Sequence, residues 1–338
     1  MIWMTWRQFR NPAAVTGGLL LALLTALALT WPQVSDLAGQ SGLTGCQGAA
    51  CGPAGRTFLQ SLHQELANDI HLAAIAALIL LPVLLGMFWG APMVARELET
   101  GTYRMVFSQT VSRGRWLLVK LVIGGVAAAL GAGLLSLTLS RWAQPIDVAS
   151  ADRLNPLVFG ARGLVPVGYA ALAFVVGVTA GLLLRRTLTA MVVTLVVVVG
   201  LQLAGSLVLR PLLADPATTT LPLPVDGQFG ISMNVDSKEM HIHVEPELRG
   251  VWILSNTTIT PSGAEFKGPA DTTRCGPEAP RDHETCPDWL ASQNLRQELT
   301  YVPNSQFWSL QWREFGVLAG VTLVLSWFSL WWIRRRLL

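Results

Sequence analysis

The chain has 338 residues, of which 51% are hydrophobic and only 13% are charged, and its mean hydropathy is +0.46. Soluble globular chains carry about 25% charged residues, so this composition excludes a soluble domain. Long apolar runs and 13 Trp residues also exclude a disordered chain and a nucleic-acid-binding tail. The composition predicts an integral membrane protein, and the net charge of +3 adds nothing by itself.

Six apolar runs are long enough to cross a bilayer, because about 20 helical residues span the roughly 30 Å hydrocarbon core. They cover residues 13–31, 72–94, 116–140, 164–184, 187–209 and 315–333, and are called spans one to six. Continuous apolarity without strict alternation favours helices over barrel strands. The sequence therefore predicts an all-α membrane bundle of six transmembrane helices, five of them within residues 13–209.

Basic residues near the span ends predict the orientation, because Lys and Arg resist translocation. With the N-terminus in the cytoplasm, the inside segments carry 12 of the 24 basic residues and only two acidic ones. The inside residues include Arg7 and Arg10 at the start, and Arg334, Arg335 and Arg336 at the end. We therefore expect a multi-pass protein of the plasma membrane with both termini in the cytoplasm.

This topology places two segments outside, namely an extracytoplasmic loop at residues 32–71 and an extracytoplasmic domain at residues 210–313. In the loop, apolar residues recur at helical spacing from Phe58 to Ile70, which predicts an amphipathic helix. The domain lies between spans five and six and combines patterns of strand and helix. Strands are predicted at 230–235, 240–244 and 251–259, and a helix at 288–299. This pattern predicts a small α+β domain.

All four cysteines fall in these outside segments, where an oxidising environment permits disulfides. They are Cys46 and Cys51 in the loop, and Cys275 and Cys286 in the domain. Pairing the sequence neighbours is the simplest of the three possible connectivities. Zinc at Cys275, His283 and Cys286 is an alternative, because thiolate and imidazole bind zinc. His241 and His243 offer another, although no cysteine pair has finger-like spacing.

The spans show no ionisable group at depth, where each costs about 2.5 to 3.5 kcal/mol and tends to mark an ion-coupling site. His71 and Lys120 lie near span ends, from which both side chains can reach the interface. No G-x-x-x-x-G-K-[ST] phosphate loop is present, so the chain does not cleave nucleotide itself. We expect no catalytic residue, metal or cofactor in this chain, and a transporter of this kind draws its energy from a partner.

The only inside segment of any length joins spans two and three at residues 95–115. It holds both inside carboxylates, Glu97 and Glu99, in a short charged helix that Gly101 is expected to end. Such a helix can lie in a groove of a soluble subunit and transmit its movement. A solvated basic loop that faces anionic lipid headgroups is the alternative.

The same segment carries a family resemblance. Arg96-Glu97, Gly101 and Tyr103-Arg104, directly after the second of six spans, resemble the coupling segment of ABC transporter permeases of the drug and polysaccharide export type, which have the type V exporter fold. The run from Gly90 to Lys120 and the two ends of the last span, at 301–312 and 331–336, are similar to permeases of this group that are abundant in actinobacteria.

The resemblance implies a homodimer of this chain with two copies of a cytoplasmic ABC ATPase, which binds ATP and Mg. It assigns ATPase coupling to Arg96, Glu97, Glu99, Gly101, Thr102, Tyr103 and Arg104. Residues 1–12, with Trp6, Arg7 and Arg10, match the cytoplasmic interfacial helix of the family. Residues 314–338 then form span six and a basic cytoplasmic tail.

The leading functional hypothesis is an export permease for a hydrophobic or amphipathic cargo such as a drug, peptide or lipid, because the spans offer mainly apolar side chains to a cavity. The alternative is an ATPase-coupled sensor or mechanical transmitter that relays a signal from the 210–313 domain without passing cargo. A membrane-embedded enzyme is disfavoured because the spans contain no paired carboxylates and no His-rich set.

Two pairs of glycines at four-residue spacing have two interpretations. Gly86 and Gly90 lie in span two, and Gly177 and Gly181 in span four. Small residues at this spacing let helices approach closely in a membrane. The sequence favours neither a dimer interface nor packing within one subunit.

Overall fold

The computed structural model describes residues 2–46, 51–102, 112–223, 229–233, 240–244, 250–268 and 285–336. The chain divides into two compact units. A membrane unit consists of Met1–Leu213 and Phe307–Leu338, and a second unit consists of Ala214–Gln306. The second unit is narrower than the predicted 210–313 domain, because helices continue to Leu213 and begin again at Phe307.

Helices dominate the membrane unit. In chain order the α-helices among the described residues are α1 (Ile2–Gln40), α2 (Cys51–His63), α3 (Leu66–Leu84), α4 (Ala91–Glu99), α5 (Arg113–Trp142), α6 (Gln144–Ser150), α7 (Pro156–Gly160), α8 (Val165–Leu184), α9 (Thr187–Ala204), α10 (Arg210–Leu213), α11 (Thr285–Ser292) and α12 (Phe307–Arg336). Two π-helical turns, Leu85–Gly90 and Gly205–Leu209, join α3 to α4 and α9 to α10. Turns of this kind hold one extra residue and are frequent at functional sites.

Six helices among the described residues are long and apolar enough to cross a membrane, which confirms the predicted number of spans. They cover Ala13–Gln40, Leu66–Glu99, Arg113–Trp142, Val165–Leu184, Thr187–Leu213 and Asn304–Arg335. Span one extends beyond the predicted 13–31, and residues 2–12 continue into it within α1 without a break. The predicted loop helix is also divided, because α2 ends at His63 and α3 begins at Leu66.

Span four is the centre of the membrane unit. Its apolar window is 78% buried, whereas that of span one is 11% buried and those of spans five and six are 17% buried. Large apolar side chains on the peripheral spans therefore remain exposed, such as Leu188 and Leu323. A helix that is apolar all round and enclosed by others is typical of the core of a membrane bundle.

The glycines at four-residue spacing pack spans two and four of the same subunit against each other. A Cβ atom at Gly86 would lie 2.6 Å from the backbone oxygen of Ala173, and one at Gly181 would lie 2.7 Å from that of Ala91. Gly90 and Gly177 are equally close to backbone atoms of the opposite span. The interpretation as packing within one subunit is therefore the one that the structure supports.

The described part of the second unit contains two small antiparallel sheets. Strands β1 (Ala217–Pro222), β2 (Phe229–Met233), β3 (Met240–Val244), β4 (Val251–Ile259) and β5 (Arg296–Pro303) form one sheet in the order β1-β5-β4 and a separate β2-β3 hairpin. The predicted helix at 288–299 is wrong in its second half. The helix ends at Ser292, Asn294 takes a φ of 49°, and the chain continues as β5, which pairs with strands on both sides.

The cysteines form disulfides. Cys46 is bonded to Cys51, and Cys286 is also disulfide-bonded, while Cys275 and His283 lie outside the described residues. A disulfide-bonded Cys286 has no thiolate to offer zinc. Among the described residues no group of three potential metal ligands occurs.

A buried arginine joins several elements at one end of the membrane unit. The Arg162 side chain is 2% exposed and donates to the Leu139 backbone oxygen at 2.6 Å and to Asp147 Oδ1 at 3.2 Å. The guanidinium also lies 3.2 Å from His71 Nε2. Burial raises the pKa of the Asp147 carboxyl, and the charge of Arg162 opposes that rise. Arg162 therefore links spans two and three to α6.

We expect Arg162→Met to destabilise the chain by about 3 kcal/mol, because it leaves the largely buried Asp147 carboxylate without its counter-charge. Thermal unfolding of the detergent-purified chain measures the loss. Arg56→Met, at an exposed arginine, is the control and should leave the transition unchanged. Equal transitions for both variants would contradict the structural role of Arg162.

Candidate coupling site

The segment predicted to couple to an ATPase begins as a rigid continuation of span two. Helix α4 follows the π-helical turn directly and ends at Glu99. The Thr100 hydroxyl donates to the Arg96 backbone oxygen at 2.9 Å, which satisfies a carbonyl at the helix end. Gly101 then adopts a φ of 73°, the left-handed conformation that glycine favours. The chain therefore turns away from the helix at the position that the sequence indicates.

Glu97 is buried and paired with a lysine of span three. Its side chain is 10% exposed, and Lys120 Nζ donates to Glu97 Oε1 at 2.6 Å. The same ammonium donates to the Met93 backbone oxygen at 2.8 Å and lies 4.4 Å from the centre of the Trp116 ring. The expectation that the Lys120 side chain reaches the interface is not supported, because the residue is buried and enclosed by these partners. The pair fixes α4 to α5.

Glu99 makes a second connection, to span five. Its Oε2 atom accepts from the Thr187 backbone N–H at 2.9 Å and from the Thr187 hydroxyl at 2.7 Å. Thr187 is the first residue of α9, and its N–H has no partner within that helix. A carboxylate from α4 therefore caps the N-terminus of span five, where the helix dipole favours negative charge.

Three of the remaining predicted coupling residues lie among the described residues, and two do not. Arg96 and Thr102 are exposed, and Gly101 is half-buried. Tyr103 and Arg104 lie outside the described residues. Of the predicted interfacial residues, Arg10 is exposed, and the side chains of Trp6 and Arg7 lie outside the described set. Arg96 and the turn that follows α4 are therefore the described surface open to a partner.

A further buried ion pair lies at the opposite end of the spans. Arg210 Nε donates to Glu314 Oε2 at 3.1 Å, and both side chains are at most 2% exposed. Tyr169 donates to the other carboxylate oxygen at 3.3 Å, and the guanidinium lies over the Phe159 ring. Both residues lie just beyond the predicted apolar runs, and the helices extend past those runs and bring these charges of different spans together.

The partners of these charges are the residues that sequence reasoning missed. Lys120 lies 23 positions from Glu97, and Thr187 lies 88 positions from Glu99. One signal was available for Lys120, because a lone basic residue within a span requires a counter-charge and few inside carboxylates exist. No local pattern indicates Thr187.

Comparison with known proteins identifies the family of this chain. A protein-family profile described as "ABC-2 membrane transporter related" matches residues 17–210, which is more than half of the chain and covers spans two to four, α4 and most of spans one and five. The chain belongs to the ABC-2 membrane transporter related family. No curated protein and no solved structure matches this sequence.

Family membership makes this ABC-2 protein the permease component of an ABC transporter and implies a separate ATPase component. The matched region contains both carboxylate connections of α4, Glu97 with Lys120 and Glu99 with Thr187. The second unit and span six lie beyond the match. The contacts of α4 therefore lie within the part of the chain that matches the family profile.

A double-mutant cycle tests the buried pair. Lys120→Met should destabilise the chain by about 3 kcal/mol, because it leaves the Glu97 carboxylate buried without its counter-charge. Lys120→Met combined with Glu97→Leu should recover most of that loss, since neither charge then remains. Thermal unfolding in detergent gives the four stabilities. Strictly additive effects of the two substitutions would show that the groups do not interact.

Proposed function

We propose that this permease exports a hydrophobic or amphipathic cargo as a homodimer with two copies of a cytoplasmic ABC ATPase. Both termini lie in the cytoplasm, as the distribution of basic residues favours. ATP and Mg bind to the partner. The observation that carries the proposal is the family match over residues 17–210 together with the connection of α4 to two other spans.

Helix α4 and the turn after it form the surface that the ATPase contacts. Arg96 is exposed on this helix, whereas Glu97 is buried on its other side. Arg96, Gly101 and Thr102, with Tyr103 and Arg104, therefore supply direct contacts. Glu97 and Glu99 have a different role in the proposal, because one oxygen of each carboxylate is bonded within the chain. They transmit movement of α4 to spans three and five.

Span five is the element that responds to this movement. Its N-terminus is held by Glu99, and its apolar window is only 17% buried. Exposed apolar side chains along it include Leu188 and Leu207, at 76% and 72% exposure. In a homodimer such a face is available to line an apolar path for cargo. The tight packing of spans two and four makes those helices a fixed support for it.

A charge reversal at Arg96 tests the docking surface. We expect Arg96→Glu to reduce recovery of the ATPase with the affinity-tagged chain about fivefold, because charges at the rim of an interface favour association. Native membranes are solubilised, and the ATPase that copurifies is quantified by mass spectrometry. Arg335→Glu, at an exposed arginine at the end of span six, is the matched control. Normal recovery with Arg96→Glu would contradict the assignment.

Inside-out vesicles that contain the copurified complex test the direction of transport. ATP-dependent accumulation of rhodamine 6G, a hydrophobic cation, is the expected result for an exporter of apolar cargo. A complex that hydrolyses ATP without moving any of a set of hydrophobic dyes and lipids would favour the signal-relay alternative instead.

Removal of the Glu99 contact should uncouple movement of span five from ATP hydrolysis. Leu212→Cys places a thiol on an exposed position at the far end of this span, and the described residues contain no other free thiol. In the complex, ATP should change the rate of maleimide labelling at this cysteine. Glu99→Ala should reduce that change about fivefold, since it removes the cap that connects span five to α4.

ATP hydrolysis should remain within about twofold of the unsubstituted complex, because a capping contact, worth about 1 kcal/mol, is small beside the energy of ATP-driven closure. Glu65→Ala, at the other end of span two, is the control for a carboxylate that does not contact span five. An unchanged ATP response in Glu99→Ala would contradict transmission through this contact.

A further inference from the structure

A cavity of about 290 Å³ lies in the membrane unit at the end of spans one and three that is remote from α4. Its walls are mainly apolar and include Val34, Ala38, Leu43, Trp142 and Val148. It is formed by the last turns of α1, the turn that follows α1, and the junction of α5 with α6. The cavity shares no residue with the coupling site.

The cavity lies at the depth of lipid headgroups. Trp31, at the end of the apolar run of span one, is 45% exposed, and Trp142 is the last residue of α5. Both line the cavity. Tryptophan rings favour the boundary between hydrocarbon and water, where one edge is apolar and the other can be hydrated.

The apolar walls are held in place by the fold. Val34 and Leu43 belong to a hydrophobic core cluster and are 1% and 5% exposed. The Trp142 indole donates to the Thr30 hydroxyl at 3.2 Å, which fixes its ring. Leu43 lies in the turn between α1 and Cys46, and Cys46 is bonded to Cys51 at the start of α2. The cavity therefore exists before any ligand binds.

One charged side chain lines this apolar cavity. Arg141 belongs to the last turn of α5 and is exposed. Its guanidinium has no hydrogen-bond or ion-pair partner among the described residues, and no acidic residue lines the cavity. A guanidinium presents a planar set of donors that matches the oxygens of a phosphate.

We propose that the cavity binds a phospholipid, with one acyl chain between the walls and its headgroup phosphate on Arg141. The apolar walls match a hydrocarbon chain, and the positive rim matches an anionic phosphodiester at headgroup depth. In the proposed orientation this lipid comes from the outer leaflet. The binding is independent of ATP and of the coupling site.

Photocrosslinking tests the proposal with the full-length chain in vesicles. The probe is phosphatidylglycerol with a diazirine at the end of one acyl chain, and mass spectrometry locates the crosslinks. We expect them at the walls, in peptides that contain Val34, Ala38 or Leu43. Val148→Trp, at a wall position that is 50% exposed, fills the cavity and should abolish them. Val126→Trp, at a span-three position that is 52% exposed and outside the cavity, should preserve them.

The phosphate contact is tested separately. Arg141→Gln should lower crosslinking about fivefold, which corresponds to loss of roughly 1 kcal/mol from one basic residue near a lipid surface. Arg115→Gln, at an exposed arginine near the other end of α5, is the control. Arg141 is exposed, so this variant tests the site even if Val148→Trp fails to fold.

Two results would overturn the proposal. Crosslinks at the walls that persist in Val148→Trp would show that the chain does not enter the cavity. The second result comes from a diacylglycerol probe that carries the same diazirine but lacks the phosphate. Equal labelling by this probe and by phosphatidylglycerol, with no effect of Arg141→Gln, would show an apolar surface without phosphate recognition.

Discussion

The buried pair of Glu97 and Lys120 is the constraint on which the α4 end of the membrane unit depends. A charge in a low-dielectric environment is costly unless a counter-charge and further hydrogen bonds satisfy it. Lys120 meets this condition with a carboxylate, a backbone oxygen and an aromatic ring. These partners come from α4 and α5, so the position of α4 relative to span three is fixed by electrostatics as well as by packing.

This arrangement gives α4 two distinct faces. One face holds the chain together through Glu97, and the end of the helix holds span five through Glu99. The other face presents Arg96 to the surroundings. In the proposed function, a force on the exposed face is passed to spans three and five without a flexible loop between them. Glu97 is paired directly with Lys120 of span three, and Glu99 is hydrogen-bonded directly to Thr187 of span five. The close packing of spans two and four adds a stiff support behind α4.

The sequence was sufficient for those features that depend on local pattern. The number of spans follows from the length of apolar runs, and the end of α4 follows from Gly101. The features that could not be predicted from the sequence depend on contacts between residues that lie far apart along the chain. The segment 296–303 has a helical pattern in part, but pairing with β1 and β4 holds it as a strand. Charged residues beyond the apolar runs are brought into the bundle by helices that continue, as Arg210 and Glu314 show.

The disulfide between Cys46 and Cys51 has a consequence for biogenesis. Thiols are oxidised outside the cytoplasm, so in the proposed orientation this bond forms only after the first loop has crossed the membrane. The spans on either side of the loop are inserted before that step. Maturation of the membrane unit is therefore sequential, and the covalent link between the end of the turn after α1 and the start of α2 forms only after translocation.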